Sequence, residues 1–299
     1  MRRKATHALV IALLACTQTA VAGDSRCRRL GALATAPDCA ADLDRDGIPD
    51  AKEERLARRF APVVVLDSRE WALPASVRWL LDRLQVGARH DAVAPPRVRL
   101  EQFPSWLHRG STNQRDWTTY VHVYRSRDRR RIYIQYWFFY PYNNGTWFVH
   151  HEGDWEHVTV ALTRRGSPLG VYAATHGNNA PGRYRPWKDV RVVQGTHPEI
   201  LAARGSHGCY FDESDVGWRD TARPCHQREA GCARLRWRTW EAGGLAQMGE
   251  LHAPRQPFVM TYRHYWGTAR RLPGMSAPRG PAFQSGWCVD GFADCGPQH

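Results

Sequence analysis

Short apolar and aromatic stretches, separated by glycine, proline and asparagine, recur along the chain from residue 63 onward. Seven of them have the length and the composition of β-strands. Their ranges are 63–66, 120–124, 132–140, 157–162, 171–175, 190–193 and 258–262. Many short strands with turn residues between them are typical of two packed sheets, so the pattern predicts a mainly β fold, a β-sandwich.

Helices are expected only at the periphery of this strand-rich region. They are predicted over 51–59, where Pro62 ends the segment, over 76–84 and over 198–204. The last 40 residues are rich in proline, glycine and tryptophan and are expected to wrap over the sandwich. After the N-terminus, no apolar run approaches the roughly 20 residues that a membrane-spanning helix needs.

The N-terminus has the pattern of an export signal. Basic residues 2–4 precede an apolar stretch at 8–15, and small residues at 20–22 form a cleavage site. The segment ending at Cys16 is an alternative lipoprotein cleavage box, which would attach a lipid to Cys16. The chain therefore divides into a signal peptide (1–22), a polar leader (23–57) and a β-sandwich domain (58–299). It is expected to be secreted or periplasmic.

Export also decides how the cysteines are interpreted, because disulfides form in oxidising compartments. Eight cysteines are present, and seven remain once Cys16 is set aside. Nearness along the chain suggests the pairs Cys27 with Cys39, Cys225 with Cys232, and Cys288 with Cys295, although spacing alone does not fix connectivity. Cys209 is left over. Zinc is disfavoured, because the chain has no C-x-x-C pair.

The formal net charge is +13, and arginine carries nearly all of the positive charge. A basic surface favours anionic partners such as acidic glycans, anionic lipid heads or nucleic acid. The alternative is that the arginines are scattered over solvated faces, and the one dense run, 125–131, is typical of a turn between strands. No nucleic-acid-binding signature accompanies it, so no nucleic acid partner is expected.

A calcium loop is predicted at residues 42–53, which read DLDRDGIPDAKE. A hard cation takes six or seven oxygen ligands, and alternate residues of such a loop direct carboxylates inward around a glycine that permits the turn, here Gly47. The predicted ligands are Asp42, Asp44, Asp46, the carbonyl of Ile48, Asp50 and Glu53. The string resembles the calcium repeats of thrombospondin-type extracellular proteins. We expect one structural Ca²⁺ that rigidifies the leader.

A second candidate site lies in 132–162, where two predicted strands flank a loop rich in asparagine and histidine. Residues two apart in a strand share a face, so Asp154 and Glu156 project together. His150 and His151 reach the same place from the loop, and His176 and His207, at other strand ends, are candidates to line it. The cluster suits a divalent cation, Ca²⁺ or Mg²⁺, or a general acid/base pair. It also suits an ordinary hydrogen-bonded strand end.

Several segments in shared order resemble the vacuolar protein sorting-associated protein 62 family. They are 60–81, 136–144 (YWFFYPYNN), 153–160 (GDWEHVTV), 196–210, 266–267 and 280–287. The resemblance runs from about residue 58 to 287. More distantly, the G-D-W-E motif and its surroundings are similar to the necrosis- and ethylene-inducing cytolysins.

The cytolysin resemblance implies a β-sandwich whose acidic pocket binds a divalent metal and recognises glycosylated lipid heads on membranes. It places Asn143, His151, Asp154 and Glu156 on that family's metal ligands. Two departures stand out, because Asn143 replaces an aspartate and Gly153 replaces a histidine of the motif.

Three functions follow from these observations. The first is a secreted metal-binding protein that recognises a polar lipid or glycan head group, and that contacts a membrane surface if the head group belongs to a lipid. The second is a metal-dependent hydrolase of an anionic ester or glycoside, with His150, His176 or His207 as base. The third is an extracellular protein whose cations only stabilise the fold. No catalytic residue is assigned, and binding is preferred over catalysis.

Overall fold

Eleven β-strands form two sheets in the computed structural model, which describes residues 41–145, 149–175, 183–216, 233–251, 253, 256–272, 274–284 and 287. The strands are β1 (Val63–Asp67), β2 (Thr119–Arg125), β3 (Arg131–Asn144), β4 (His150–Thr163), β5 (Pro168–Ala173), β6 (Arg183–Pro186), β7 (Val192–Val193), β8 (His197–Ala202), β9 (Cys209–Tyr210), β10 (Arg234–Arg238) and β11 (Leu245–Gln247). The α-helices within these residues are α1 (Asp50–Phe60), α2 (Val77–Leu84) and α3 (Phe258–Thr261).

The larger sheet has the strand order β11-β2-β3-β4-β5-β6. Its centre is the antiparallel pair of β3 and β4, each 14 residues long, with a register that runs from Arg131 opposite Thr163 to Asn144 opposite His150. The smaller sheet has the order β10-β1-β8-β7, and β9 pairs with β8. In it β1 runs parallel to β8 and antiparallel to β10.

The main core lies between the two sheets. From β3 it takes Ile132, Ile134, Tyr136, Phe138 and Tyr140, which alternate along the strand and share one face. Across the core these side chains meet Val64, Ile200 and Trp237 of the smaller sheet. Each such side chain contributes about 1.5–3 kcal/mol through its burial.

The opposite face of the larger sheet is covered as well. Tyr133, Trp137 and Phe139 of β3 lie in a second apolar cluster that includes residues of α2 and α3 together with Trp266. This double coverage explains why β3 is a nearly continuous run of apolar and aromatic residues, without the alternation of a half-exposed strand. The mainly β sandwich that the sequence predicted is confirmed.

Two of the predicted helices are confirmed. Helix α2 begins where Ser76 accepts a hydrogen bond from the backbone N–H of Trp79 at 3.0 Å, an N-cap. Helix α1 buries Leu56, Ala57 and Phe60 in the main core. The hydroxyl of Tyr136 donates to the carbonyl of Ala57 at 2.8 Å, so α1 is fixed to the larger sheet.

Two predicted elements are wrong. Residues 198–204 are not a helix, because β8 occupies 197–202 and pairs with β1, β7 and β9, so sheet pairing overrides the local preference. Residues 258–262 are not a strand but the short helix α3. Phe258, Val259 and Met260 are all buried, so their run carries no periodicity that separates helix from strand. Among the described helices, none has the length and apolar character to cross a membrane.

Candidate functional site

The predicted calcium loop brings its carboxylates together. The ligand oxygens of Asp42, Asp44 and Asp50 lie within 4.8 Å of one another, and so do those of Asp44, Asp46 and Glu53. Helix α1 begins at Asp50, so its first turn carries Asp50 and Glu53 towards the loop.

The loop conformation itself follows from two residues. Gly47 has a φ of +89°, the left-handed region that favours glycine. The side chain of Ile48 is fully buried in the main core and anchors the loop to the sandwich.

The pKa values of these acids are raised by burial and by one another, with no positively charged side chain among the causes. Burial, followed by the charge of Asp44, raises the pKa of Asp46 to about 8 and that of Glu53 to about 10. One buried oxygen each of Asp42, Asp46 and Glu53 has no hydrogen-bond partner among the described residues. Buried carboxylate oxygens without partners are costly unless a cation binds them. The loop therefore fits a hard divalent cation with oxygen ligands.

The second candidate site lies where β3 and β4 approach the smaller sheet. Their register sets Asp154 opposite Tyr140 and Glu156 opposite Phe138. Residues directly opposite each other share a face, so both carboxylates belong to the face that forms the main core. Asp154 is 5% exposed and Glu156 3%. Both carboxylates are therefore buried at one end of the sandwich core.

A histidine from the smaller sheet neutralises this end of the core. His207 lies between β8 and β9, is fully buried and stacks on the ring of Tyr140 at 3.8 Å between centroids. Its Nδ1 donates to Asp154 Oδ2 at 2.8 Å, and its Nε2 donates to the carbonyl oxygen of Ala72 at 3.0 Å. Since both neighbours only accept, both ring nitrogens carry hydrogen and the ring is an imidazolium.

Glu70, which follows β1, is the second acid beside His207. Its Oε1 accepts from the N–H of Ala72 at 3.0 Å and its Oε2 from the N–H of Gly205 at 2.6 Å, while Oε1 lies 3.8 Å from His207 Nε2. Burial alone would raise the pKa of Glu70, but His207, followed by the N–H groups of Gly205 and Ala72, holds it below its usual value. Burial alone would lower the pKa of His207, but Asp154 and Glu70 raise it to about 9.

Two of the four residues predicted to bind a pocket metal, Asn143 and Asp154, contact each other, and Asp154 also contacts His207. Asn143 donates through Nδ2 to Asp154 Oδ2 at 3.2 Å and accepts through Oδ1 from the N–H of Gly145 at 2.9 Å. His151 Nδ1 lies 3.1 Å from the carbonyl oxygen of Glu152. Within the described ranges, the groups of three or more His, Cys, Asp or Glu with metal-binding spacing lie in the loop.

In this pocket Asn143 offers an N–H to the carboxylate of Asp154, and His207 supplies a positive charge beside it. Binding of a metal by Asn143, His151, Asp154 and Glu156 stays a prediction. His150 pairs with Asn144 at the start of β4 and is half-buried. His176, the remaining predicted lining residue, lies outside the described residues.

Gly153 has a physical reason within this site. Its φ is +56°, and a Cβ at this position would come within 2.0 Å of the carbonyl oxygen of Trp266. The segment that carries Trp266 packs directly on the backbone of β4 here, so no side chain fits. The cytolysin motif has a histidine at this position. In this protein a histidine here would displace Trp266 from the second apolar cluster.

A cleft of about 290 Å³ opens beside the buried cluster. It is lined by Arg69, Glu70, Trp71, Asn144, Arg204 and Gly205. The Trp71 side chain is 45% exposed and touches Tyr142 edge to face. Arg204 makes no hydrogen bond or ion pair with any described residue, whereas Arg69 is held by Asp67 through two contacts of 3.1 and 2.9 Å.

Sequence analysis missed the cleft residues Glu70, Trp71 and Arg204. Trp71 and Glu70 lie within a motif that supported a family resemblance, but nothing local marks them as site residues. The predicted disulfide partners Cys27, Cys39, Cys225, Cys232, Cys288 and Cys295 lie outside the described residues. Cys209 is buried in the main core, with its Sγ 3.9 Å from the carbonyl oxygen of His207.

Comparison with known proteins gives structural neighbours only. No family model matches the chain and no curated protein matches it, so the expected membership of the vacuolar protein sorting-associated protein 62 family has no support there. The similar solved structures include Necrosis and Ethylene inducing Protein 2, two structures described as a toxin fold and the non-toxic protein HaNLP3.

Three of these structures illustrate the likeness. One, described as "Toxin fold as basis for microbial attack and plant defense", has 14% identity and a TM-score of 0.44 over 80% of this chain and 90% of its own. NLPPya in complex with glucosamine has 15% identity and a TM-score of 0.41 over 70% and 77%. Necrosis and Ethylene inducing Protein 2, from the causal agent of cocoa's Witches Broom disease, has 18% identity and a TM-score of 0.37 over 54% and 68%. At these values the likeness carries no functional inference.

Proposed function

We propose that the protein binds a glycan head group that carries an acidic substituent, at the cleft between Trp71 and Arg204. The observation that carries the proposal is the pairing of an exposed tryptophan ring with the Arg204 guanidinium, which makes no hydrogen bond or ion pair with a described residue and whose charge acts at longer range on Asp67. Aromatic rings offer a flat apolar surface to a sugar ring, and arginine binds carboxylate or phosphate through two parallel hydrogen bonds. The exposed Asn144 adds an amide that both donates and accepts.

The buried cluster beneath the cleft supports this arrangement by holding its walls. Glu70 accepts from the N–H of Gly205, so the residue after Arg204 is tied to the residue before Trp71. A binding site whose walls are fixed before the ligand arrives loses less entropy on binding. The proposal does not require a pocket cation, because His207 supplies one positive charge beside Asp154 and Glu70, and two backbone N–H groups also donate to Glu70.

Hydrolysis has less support than binding. His207 is fully buried, and both of its ring nitrogens donate to acceptors within the protein, so it is not placed to remove a proton from water. His150 and His151 are half-buried at the start of β4, and His151 lies beside the carbonyl oxygen of Glu152. A purely structural role, in which a bound cation only stabilises the fold, is supported by one observation, the acidic loop Asp42–Glu53.

A glycan array tests the proposal, with the parent protein compared against Arg204→Gln and Trp71→Ala. Trp106→Ala is the matched control, because Trp106 is also exposed, at 61%, but lies outside the cleft. We expect signals from sugars with a carboxylate, phosphate or sulfate, reduced at least about tenfold by either cleft substitution, the scale of one lost charge-assisted contact, and unchanged by the control. Equal signals for all four proteins would contradict the proposal.

Two additions make the test discriminating. The array is run in chelator and in excess calcium. Binding that needs calcium indicates a bridging cation, and binding in both conditions indicates direct recognition by arginine. Flotation with vesicles that carry the same head group on a lipid separates a membrane-bound glycan from a free one.

The export of the protein is also a proposal, and the mass of the mature N-terminus after expression in a secreting host tests whether residues 1–22 are removed.

A further inference from the structure

A buried acid outside the loop lies beside the loop's carboxylates. Glu250, on the segment that follows β11, is 1% exposed. Its Oε1 accepts a hydrogen bond from His122 Nε2 at 2.8 Å. Its Oε2 is buried and has no hydrogen-bond partner among the described residues. A carboxylate oxygen in that position requires a partner that the protein chain does not supply.

The acidic loop Asp42–Glu53 lies next to Glu250 and also has buried carboxylate oxygens without partners. A Cβ placed on Gly249 would lie 3.4 Å from Asp44 Cβ and 3.6 Å from Asp44 Oδ2, so the backbone just before Glu250 runs alongside Asp44. After burial, the charge of Glu250 is the largest cause of the raised pKa of Asp44, about 6. Glu250 also raises the pKa of Asp46. The approach of Gly249 to Asp44 therefore places Glu250 next to the acidic loop.

We propose that Glu250 is a ligand of the cation held by the Asp42–Glu53 loop, bound directly or through one water. Three of the loop's carboxylates have a buried oxygen without a partner, and Glu250 Oε2 is another such oxygen, on the residue that follows Gly249 beside Asp44. One divalent cation between them satisfies both. His122 then orients the ligand, as hydrogen-bonded partners of metal ligands generally do.

This arrangement makes the cation a cross-link between distant parts of the chain. His122 lies on β2 and stacks on Trp287 at 3.8 Å, with the two rings 8° from parallel, and on Tyr124 at 4.7 Å. The cation would join the N-terminal loop to the segment after β11. Through His122 it would reach Trp287, close to the C-terminus. The site is thus a tertiary junction and not a self-contained loop.

Calorimetric titration of Ca²⁺ into the metal-stripped protein tests the assignment. Glu250→Gln removes the charge but keeps an oxygen for His122, and Glu241→Gln is the control, since Glu241 is half-exposed and pairs with Arg238 at 3.1 Å. We expect the dissociation constant to rise roughly 10–100-fold in Glu250→Gln and to stay unchanged in the control. In chelator, Glu250→Gln should melt at a higher temperature than the parent, because one repelling charge is gone. A parent-like dissociation constant would overturn the proposal.

A second measurement uses the unaltered protein and so does not depend on the variant folding. Crystals grown in Ca²⁺ would locate the ion by its anomalous scattering. We expect Glu250 Oε2 at about 2.3–2.6 Å from the ion, or at about 5 Å with a water between them. An ion in the loop with Glu250 Oε2 more than roughly 6 Å away would show that the sandwich contributes no ligand.

Discussion

Removal of the loop cation should make the stability of the protein depend steeply on pH between 6 and 8. In the metal-free native state the pKa of Asp46 is about 8 and that of Glu53 about 10, against ordinary values of 3.8 and 4.5. Because both are raised, their contribution to stability is complete at low pH and is lost as pH rises through the native values. Between pH 6 and 7 the native state holds close to two protons, on Asp46 and Glu53, that the unfolded chain has released. Asp44, with a pKa of about 6, adds part of a third near pH 6, and Asp46 begins to lose its proton as the pH approaches 8.

The size of the effect follows from the number of protons. Each proton held by the native state alone lowers the free energy of unfolding by about 1.4 kcal/mol per pH unit. Two protons give a loss of roughly 3 kcal/mol per unit near pH 6–7, and for a domain of this size each kcal/mol moves the melting temperature by about 2–4 °C. We expect the metal-free protein to lose roughly 6–12 °C per pH unit.

The assay is thermal unfolding at several pH values from 6 to 8, in chelator and in saturating calcium. The imidazolium of His207, whose pKa is raised to about 9, also loses stability as pH rises, but it does so in both conditions. The difference between the two curves therefore isolates the loop. Glu53→Gln should flatten the metal-free curve by roughly half, whereas Glu54→Gln, on the exposed side of α1, should not change it.

Parallel curves in chelator and in calcium would refute the reasoning. They would mean that the loop carboxyls are ionised in the metal-free protein, and therefore that burial and mutual repulsion do not hold protons on Asp46 and Glu53.

Three further predictions follow from the same geometry. Calcium binding at pH 7 should release about two protons, which calorimetry in buffers of different ionisation enthalpy would detect. His207→Gln should cost about 3–5 kcal/mol in urea unfolding, because Asp154 and Glu70 lose their buried counter-charge, while the exposed His90→Gln should cost under about 0.5 kcal/mol. Gly205→Ala should lower the melting temperature by an amount equal to at least about 2 kcal/mol, since its φ is +83° and a Cβ would lie 2.3 Å from a backbone oxygen.

The parts of the fold that the sequence predicts are those with a strong local pattern. Strand β3 is a long apolar and aromatic run, and α2 carries its cap at Ser76. Only the apolar second half of β4 is predicted as a strand, because its first half, from His150, is polar and has the composition of a loop. The carboxylates of the Asp42–Glu53 loop all lie within 12 residues, so their spacing alone predicts that they come together. By contrast, residues 197–202 become a strand because β1, β7 and β9 lie beside them, which no local pattern reveals.

The cleft could not be predicted, because its residues come from distant parts of the chain. Trp71 follows β1, Asn144 ends β3, and Arg204 follows β8. The role of His207 depends on Asp154, and that of Glu250 depends on Asp44, and neither pair has a spacing that a motif records. Sequence analysis identified Asp44, Asp154 and His207 but not Glu250, and it could not show which charged groups contact each other, because those contacts depend on the tertiary fold.

The position of β1 in the smaller sheet has a consequence for how the chain folds. β1 is encoded early, at residues 63–67, but it pairs with β8 and β10, which end at residues 202 and 238. Contacts between such distant segments slow folding, because a long loop must close before they form. During synthesis β1 remains an unpaired apolar segment until β8 and β10 have been made, and unpaired apolar strands favour aggregation. A fragment that ends before residue 234 should therefore be prone to aggregate, even though it contains every residue that lines the cleft.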